Sequence, residues 1–226
     1  MLKAVIFDFD GVISDSEPLH YKAFAKAVQN FGFGLTKDLY YKDYVGYCDR
    51  ECFENLVKNF PGQLKGANVN ELIRIKAEAF EEIVKTEAKI IPGVTDLLKI
   101  LKKNNIRIAI CSGATGRDIE MMLAGSGLNH YFELIVSDDD VTKGKPDPQG
   151  YNLALQRLNQ AKNTSIMPNQ CIVIEDSHWG LDAAIAAGMH TIAVTNTYHP
   201  EKLAMAELIV GNLGDLTFKQ LLGLVE

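Results

Sequence analysis

The chain has 226 residues, 47% of them hydrophobic and 23% charged. That is an ordinary globular composition, long enough for one large domain or two modest ones. A formal net charge of -6 and a pI of about 5.4 exclude a broad positive field for nucleic acid or an anionic membrane surface, so any phosphate must be met by a local cluster or a metal ion.

No run reaches transmembrane length, and the N-terminus enters an apolar stretch directly, without the basic start and apolar core of a signal peptide. A cytoplasmic location with no membrane partner is expected. Of the four cysteines, Cys48 and Cys52 would share a helix face, but no second pair of soft ligands lies nearby to complete a metal site. Cys111 and Cys171 sit in apolar runs and read as buried, reduced thiols.

In chain order, Ala4-Val5-Ile6-Phe7 reads as a fully buried strand because nothing in it alternates. Asp8 and Asp10 follow, two residues apart, and Gly11 permits a sharp turn. In extended chain, i and i+2 project to one face. Two like charges held together in a protein are costly unless a cation or a shared proton relieves them. The same residues can also form a plain turn whose side chains bond the backbone. Polar groups at three further strand ends favour a site.

A helix is expected over 16–31, with Ser16 as its cap, Pro18 in its first turn and Leu19, Ala23, Ala27 and Phe31 on one face. From residue 36 to about 86 the signals are helical, broken at Val45-Gly46-Tyr47-Cys48 and Phe60-Pro61-Gly62. Beyond Ile91-Pro92-Gly93, helices and strands alternate: helix 94–103, strand 106–111, helix 117–124, strand 132–137, helix 149–159, strand 171–174, helix 179–187, strand 191–195, a weak strand 208–210 and helix 216–224. This order predicts an α/β protein with a Rossmann-like parallel sheet covered by helices on both faces. Residues 1–14 and 91–226 would form the core, with 15–90 inserted as a small helical domain. In such sheets the ligand site lies beyond the carboxyl ends of the strands.

Three of those ends carry useful groups. Strand 106–111 runs into Ser112-Gly113-Ala114-Thr115 before a helix, a hydroxyl with free backbone N–H groups that can cradle phosphate or simply cap the helix. Lys145, fixed between Gly144 and Pro146, is a better candidate than Lys143 for an ammonium aimed by a stiff loop. Strand 171–174 ends in Glu175-Asp176-Ser177, hard oxygen donors that suit Mg²⁺. Beside them, His178 and Trp179 stand where they could line an entrance, with packing the preferred reading for Trp179.

The order D-x-D-G-V-x-x-D, S-G-A-T, G-K-P-D-P and E-D-S-x-x-G-x-x-A-A resembles the haloacid dehalogenase-like hydrolase superfamily, in the branch with a helical cap that holds phosphoglycolate phosphatase-like enzymes and β-phosphoglucomutase. The resemblance spans essentially the whole chain. It implies Asp8 as the nucleophile that becomes an aspartyl phosphate and Asp10 as general acid and then base. It implies Ser112, Gly113 and Lys145 as phosphate binders, and Asp8, Asp10, Glu175 and Asp176 around Mg²⁺. A small phosphorylated metabolite, a sugar phosphate or similar compound, would be the substrate, and a cap that opens and closes would select it through His20, Arg50 and Lys76.

Asp10 argues against dehalogenation, since a halide leaving group needs no proton. The first motif also differs from that of the family's phosphonate hydrolases. A β-phosphoglucomutase-like mutase is the alternative to a phosphatase. However, Asp49 stands where a phosphate-holding arginine is expected in the cap loop around Gly46, and Arg50 follows it, so hydrolysis is the preferred reading. A non-catalytic ligand-binding relative fits less well with four intact motifs. The expected assembly is a monomer or weak homodimer, with no nucleic-acid partner.

Overall fold

The structure, a computed structural model, describes residues 1–45 and 47–225; the loop position Gly46 lies outside the described residues. The chain divides into two compact units, Ser16–Ala88 and Met1–Asp15 with Lys89–Glu226. No helix among the described residues is long and apolar enough to cross a membrane.

The Ser16–Ala88 unit is built from α1 (Glu17–Gln29), α2 (Lys37–Asp43), α3 (Asp49–Asn59) and α4 (Val69–Glu87). Its core joins Phe24, Ala27, Tyr40, Phe53, Leu56 and Leu72, apolar positions that recur at helical spacing on each element. Thr36 and Asn68 cap α2 and α4 by accepting from Leu39 N and Glu71 N. Ser16 occupies the N-cap of α1, but its side chain makes no capping bond. Its backbone lies in the helical region (φ -86, ψ -25), whereas a capping side chain needs an extended N-cap residue.

The second unit holds a six-stranded sheet: β1 (Ala4–Phe7), β2 (Arg107–Cys111), β3 (Leu134–Val136), β4 (Cys171–Glu175), β5 (His190–Val194) and β6 (Leu208–Val210). The order is β3-β2-β1-β4-β5-β6 and every pairing is parallel, so the expected α/β class is what the chain adopts. Helices α5 (Val94–Lys103), α6 (Gly116–Ala124), α7 (Gln149–Lys162), α8 (His178–Ala186) and α9 (Phe218–Leu224) complete it. On α7, the helix runs past the expected end to Lys162, where Asn163 closes it in a left-handed conformation (φ 49).

Ala4 and Ile6 of β1 pack with Tyr151, Ala154 and Leu158 of α7 and Ala183 and Ala184 of α8. The alternate residues Val5 and Phe7 are equally buried, so both faces of the central strand are covered and its unbroken apolar run is explained. Truncating one such side chain costs about 2–5 kcal/mol. Phe7 pairs in register with Ile110 and Ile174. One step further on, Asp8 and Glu175 therefore emerge side by side at the carboxyl edge. Asp8 N donates to Ile174 O at 2.9 Å, which carries the ladder into the site.

Candidate active site

Past β1 the chain makes a tight loop: Ile13 N and Ser14 N both donate to Phe9 O, and Gly11 N donates to Ser14 O at 2.8 Å. Gly11 has φ +78 and no room for a Cβ, which would meet Asp176 Oδ2 and Thr197 Oγ1. Glycine is therefore required there twice over, for backbone and for space. The loop leaves Asp8 buried and Asp10 partly exposed, and Ser112 Oγ donates to Asp10 Oδ2 at 3.2 Å. Ser112 Oγ also accepts from Ala114 N, and Thr115 caps α6. Gly113 lies exposed beside Ser112.

Lys145 comes from the loop before α7, next to a cis Lys145–Pro146 bond. Its ammonium donates to Asp8 Oδ1 at 2.5 Å, Glu175 Oε1 at 2.6 Å and Cys111 O at 3.1 Å, and lies over the Tyr151 ring. Lys143, in contrast, is exposed and pairs with Asp147. Glu175 is fully buried and its oxygens accept five protein donors. Oε1 takes Lys145 Nζ and Tyr151 Oη; Oε2 takes Asp176 N, Ser177 N and Ser177 Oγ. Gly180 of α8 leaves space for that carboxylate, since a Cβ there would overlap it. Asp176 Oδ2 accepts from Thr197 Oγ1.

Burial raises Asp8 well above its ordinary 3.8; Lys145 opposes this, while Glu175, Asp176 and Asp10 add to it. Asp176 is pushed up to about 8 by burial first and Glu175 second. Burial would lower Lys145, but Asp8 and Glu175 outweigh it and hold the ammonium well above its usual range. Burial likewise opposes ionisation of Glu175, yet Lys145 and the Ser177 donors bring it below its usual range. The centre thus holds more buried carboxyls than Lys145 alone can keep ionised.

Oxygens of Asp8, Glu175 and Asp176 come within 4.8 Å of one another. Three clustered carboxyls, hard oxygen donors whose ionised forms burial disfavours unless a cation offsets them, fit a divalent cation of the Mg²⁺ type. With Glu175 saturated by protein donors, Asp8 and Asp176 are the better placed of the three to bind it directly.

In the helical unit, His20 stacks on Phe80 with ring centroids 4.3 Å apart, and Lys76 Nζ lies 4.8 Å from the centre of the same ring. Lys76 is buried and pairs with Asp49 Oδ1 at 2.9 Å. Arg50 is not part of this group: it is exposed on α3, with Asn70 Oδ1 at 2.9 Å and Glu54 at 3.9 Å. Trp179 does not pack as expected but stands 52% exposed, its ring against His178, which meets Tyr198 edge-on. The four cysteines are free, and burial pushes Cys111 and Cys171 up to about 12, as inert thiols require. Sequence reasoning missed Tyr151, Asn196 and Thr197; Asn196 Nδ2 donates to Gly11 O at 2.7 Å.

A parallel sheet delivering acids from two adjacent strand ends, with a lysine locked between them, defines an α/β protein with a charged centre at the carboxyl edge of its sheet. The model of the haloacid dehalogenase-like hydrolase family matches residues 5–194, and the chain belongs to that family. It is 34% identical over 194 residues to the phosphorylated carbohydrates phosphatase of Thermotoga maritima, covering 84% of each chain. It is 29% identical over 224 residues to the β-phosphoglucomutase of Bacillus subtilis, covering 97% of this chain and 94% of the relative. Among solved structures, CbbY from Rhodobacter sphaeroides in complex with phosphate superposes with a TM-score of 0.84 at 26% identity, covering 96% of both chains.

Proposed function

We propose that this enzyme hydrolyses a small phosphorylated carbohydrate through an aspartyl-phosphate intermediate, with Mg²⁺ held by Asp8, Asp176 and the backbone carbonyl of Asp10. The observation that carries this reading is the Lys145 ammonium locked between Asp8 and Glu175 at the carboxyl edge of the sheet. The bound ion would supply positive charge that lets an anionic nucleophile approach an anionic phosphate.

An Asp8 oxygen attacks phosphorus in line, forming the P–O bond to the protein as the bond to the substrate alcohol breaks. Asp10, oriented by Ser112, gives its proton to the departing alkoxide. Asp10 then takes a proton from water as that water attacks the aspartyl phosphate, which releases inorganic phosphate and restores both carboxyls. Lys145 and Ser112, with the backbone at Gly113, hold the transferring group. Lys145 also favours the ionised form of Asp8 by proximity of charge, against the burial that opposes it. Glu175 fixes Lys145 and adds its charge around the ion without being a direct ligand.

Hydrolysis rather than mutase chemistry is supported by the helical unit. A mutase must grip the distal phosphate of a bisphosphate while it turns over. Here the buried Lys76 is already countered by Asp49, and Arg50 engages Asn70 and Glu54. The identity of the Thermotoga maritima relative supports a phosphorylated carbohydrate as substrate, selected by residues of the helical unit that include His20 and Lys76.

Phosphate release across a panel of sugar phosphates, with and without Mg²⁺, tests the proposal. The panel includes β-glucose 1-phosphate with a trace of its 1,6-bisphosphate. Multiple-turnover release that needs Mg²⁺ is expected. Formation of glucose 6-phosphate outpacing release would establish the mutase instead, and no turnover of any phosphoester would leave a ligand-binding relative.

A further inference from the structure

Beyond the four motifs, one loop touches two of them at once. β5 stops at Val194, and Thr195 N donates to Val210 O at 3.1 Å, which fixes the base of the loop on the next strand. Asn196 Nδ2 then donates to Gly11 O at 2.7 Å, and Thr197 Oγ1 donates to Asp176 Oδ2. Next along, Tyr198 sets its ring edge-on to His178 with centroids 5.2 Å apart. Thr197 is thereby held on both sides, by the turn after Asp10 and by the start of α8.

We infer that Thr197, with Asn196 as its anchor, is a positioning residue that decides which oxygen of Asp176 is offered to the divalent cation. The inference rests on the reading of Asp176 as a cation ligand given above. The physical reason is rotational. The terminal torsion of an aspartate is broad and two-fold, so nothing in the side chain itself selects an oxygen or its angle. A hydroxyl donating to Oδ2 stops that rotation and leaves Oδ1 for the ion. Because a Cβ on Gly11 would meet Asp176 Oδ2 and Thr197 Oγ1 together, this corner is too close-packed for Asp176 to swing toward the Gly11 turn. Losing a partner that orients a ligand in this way typically costs about 10–100-fold in metal affinity or activity.

Binding of Mn²⁺, followed by electron paramagnetic resonance of the free ion and by calorimetry, tests the role without relying on turnover. T197V keeps the shape and removes the hydroxyl; T197S keeps the hydroxyl. T197V is expected to weaken Mn²⁺ binding about tenfold, and T197S to stay within about twofold of the native protein. In turnover at saturating metal, the KM for the sugar phosphate should be unchanged in T197V, while the metal concentration for half-activation rises in step with the Mn²⁺ dissociation constant. If T197V does not fold, T197A is held to the same criterion. Native-like Mn²⁺ affinity in the hydroxyl-free variant, or T197S binding as weakly as it does, overturns the positioning role. D176N separates this from failure of the underlying reading. If D176N binds Mn²⁺ as the native protein does, Asp176 is no ligand, and the inference falls with that reading. If D176N loses binding while the hydroxyl-free variant keeps it, only the role of Thr197 is wrong.

Discussion

Lys145 Nζ stands 2.5 Å from Asp8 Oδ1, across 137 positions of sequence. The lysine side chain is 17% exposed and the aspartate 9%, so the pair works in a medium where charge is costly to strand. The same ammonium reaches Glu175, which is fully buried. Asp8 is thus kept close to a fixed positive charge before any substrate arrives, as its proposed role as nucleophile toward a phosphate dianion requires.

Removing that charge should cost both stability and turnover. Lys145→Ala leaves Asp8 and Glu175 buried together, and breaking a buried pair in this way costs about 3 kcal/mol. Turnover should fall by at least about 100-fold, the scale of one preorganised charge at a reacting centre. Lys145→Arg should not rescue it, because a planar guanidinium cannot point at Asp8, Glu175 and the Cys111 carbonyl from one atom. Urea unfolding beside phosphate release checks both; native stability in Lys145→Ala would refute the argument.

Asp8→Asn should separate function from folding. The amide can still accept from Lys145, yet it is no nucleophile, so turnover should drop by about 10³-fold or more. Burial holds the Asp8 carboxyl well above its usual range, which means its ionised form is a burden to the fold. The metal-free Asp8→Asn protein should therefore melt at the same or a higher temperature than the native protein at neutral pH, as is common for residues kept for activity. A marked fall in melting temperature would count against it.

The site was largely legible because its residues sit where a buried strand stops. Asp8 after Ala4-Val5-Ile6-Phe7 and Glu175 after Cys171-Ile172-Val173-Ile174 interrupt runs with no other polar side chain, and a parallel sheet brings such ends to one edge. Tyr151 was not legible, since with Ala154, Leu155 and Leu158 it reads as one apolar helix face; its hydroxyl finds Glu175 only through the tertiary fold. Thr197 carries no local signal, because its partner Asp176 lies 21 positions away. Arg50 stands apart from Lys76 for a rotational reason: neighbours on a helix differ by about 100°, and the phase of α3 turned Asp49 toward Lys76.

That phase has a consequence for the helical unit. Lys76 is 1% exposed, while Asp49 is 34% exposed. Deleting the partner of a buried charge is worse than deleting the charge itself. Asp49→Ala is therefore expected to destabilise the protein by about 1–2 kcal/mol, whereas Lys76→Met, apolar and of similar length beside Phe24 and Phe80, should stay within about 1 kcal/mol of native. Thermal unfolding of the two variants side by side reads the asymmetry, and the reverse order would show that the ion pair is not what holds Lys76 inside.

Gly11→Ala attacks the corner where the first and last motifs meet. Left-handed backbone costs a non-glycine residue about 1–2 kcal/mol, and here the new methyl would also displace Asp176 and Thr197. Turnover is expected to fall about tenfold or more, since sub-ångström shifts of positioned groups are that costly. The metal concentration for half-activation should rise as Asp176 is pushed aside. A variant slower in turnover with unchanged metal dependence would place the damage at Asp8 or Asp10 instead.

Metal and pH should act through the same two carboxylates. Burial raises Asp8 well above 3.8, and burial with Glu175 takes Asp176 to about 8. A carboxyl whose folded value exceeds its unfolded value stabilises the fold fully below the unfolded value, and that contribution is lost as pH rises through the folded one. The metal-free protein should thus lose stability from about pH 4 to about pH 8 on account of these groups. His20 has the opposite sign: burial, then Lys76, hold it well below 6.5, so its contribution is present above that value and lost as pH falls. Mg²⁺ competes with protons for Asp8 and Asp176 and leaves His20 untouched, so the difference in melting temperature with and without metal isolates the carboxylates. At millimolar Mg²⁺ that difference is expected to be about 5 °C at pH 8 and about 1 °C or less at pH 5. An equal shift at both values, or a larger one in acid, would mean that the ion binds somewhere other than between these two aspartates.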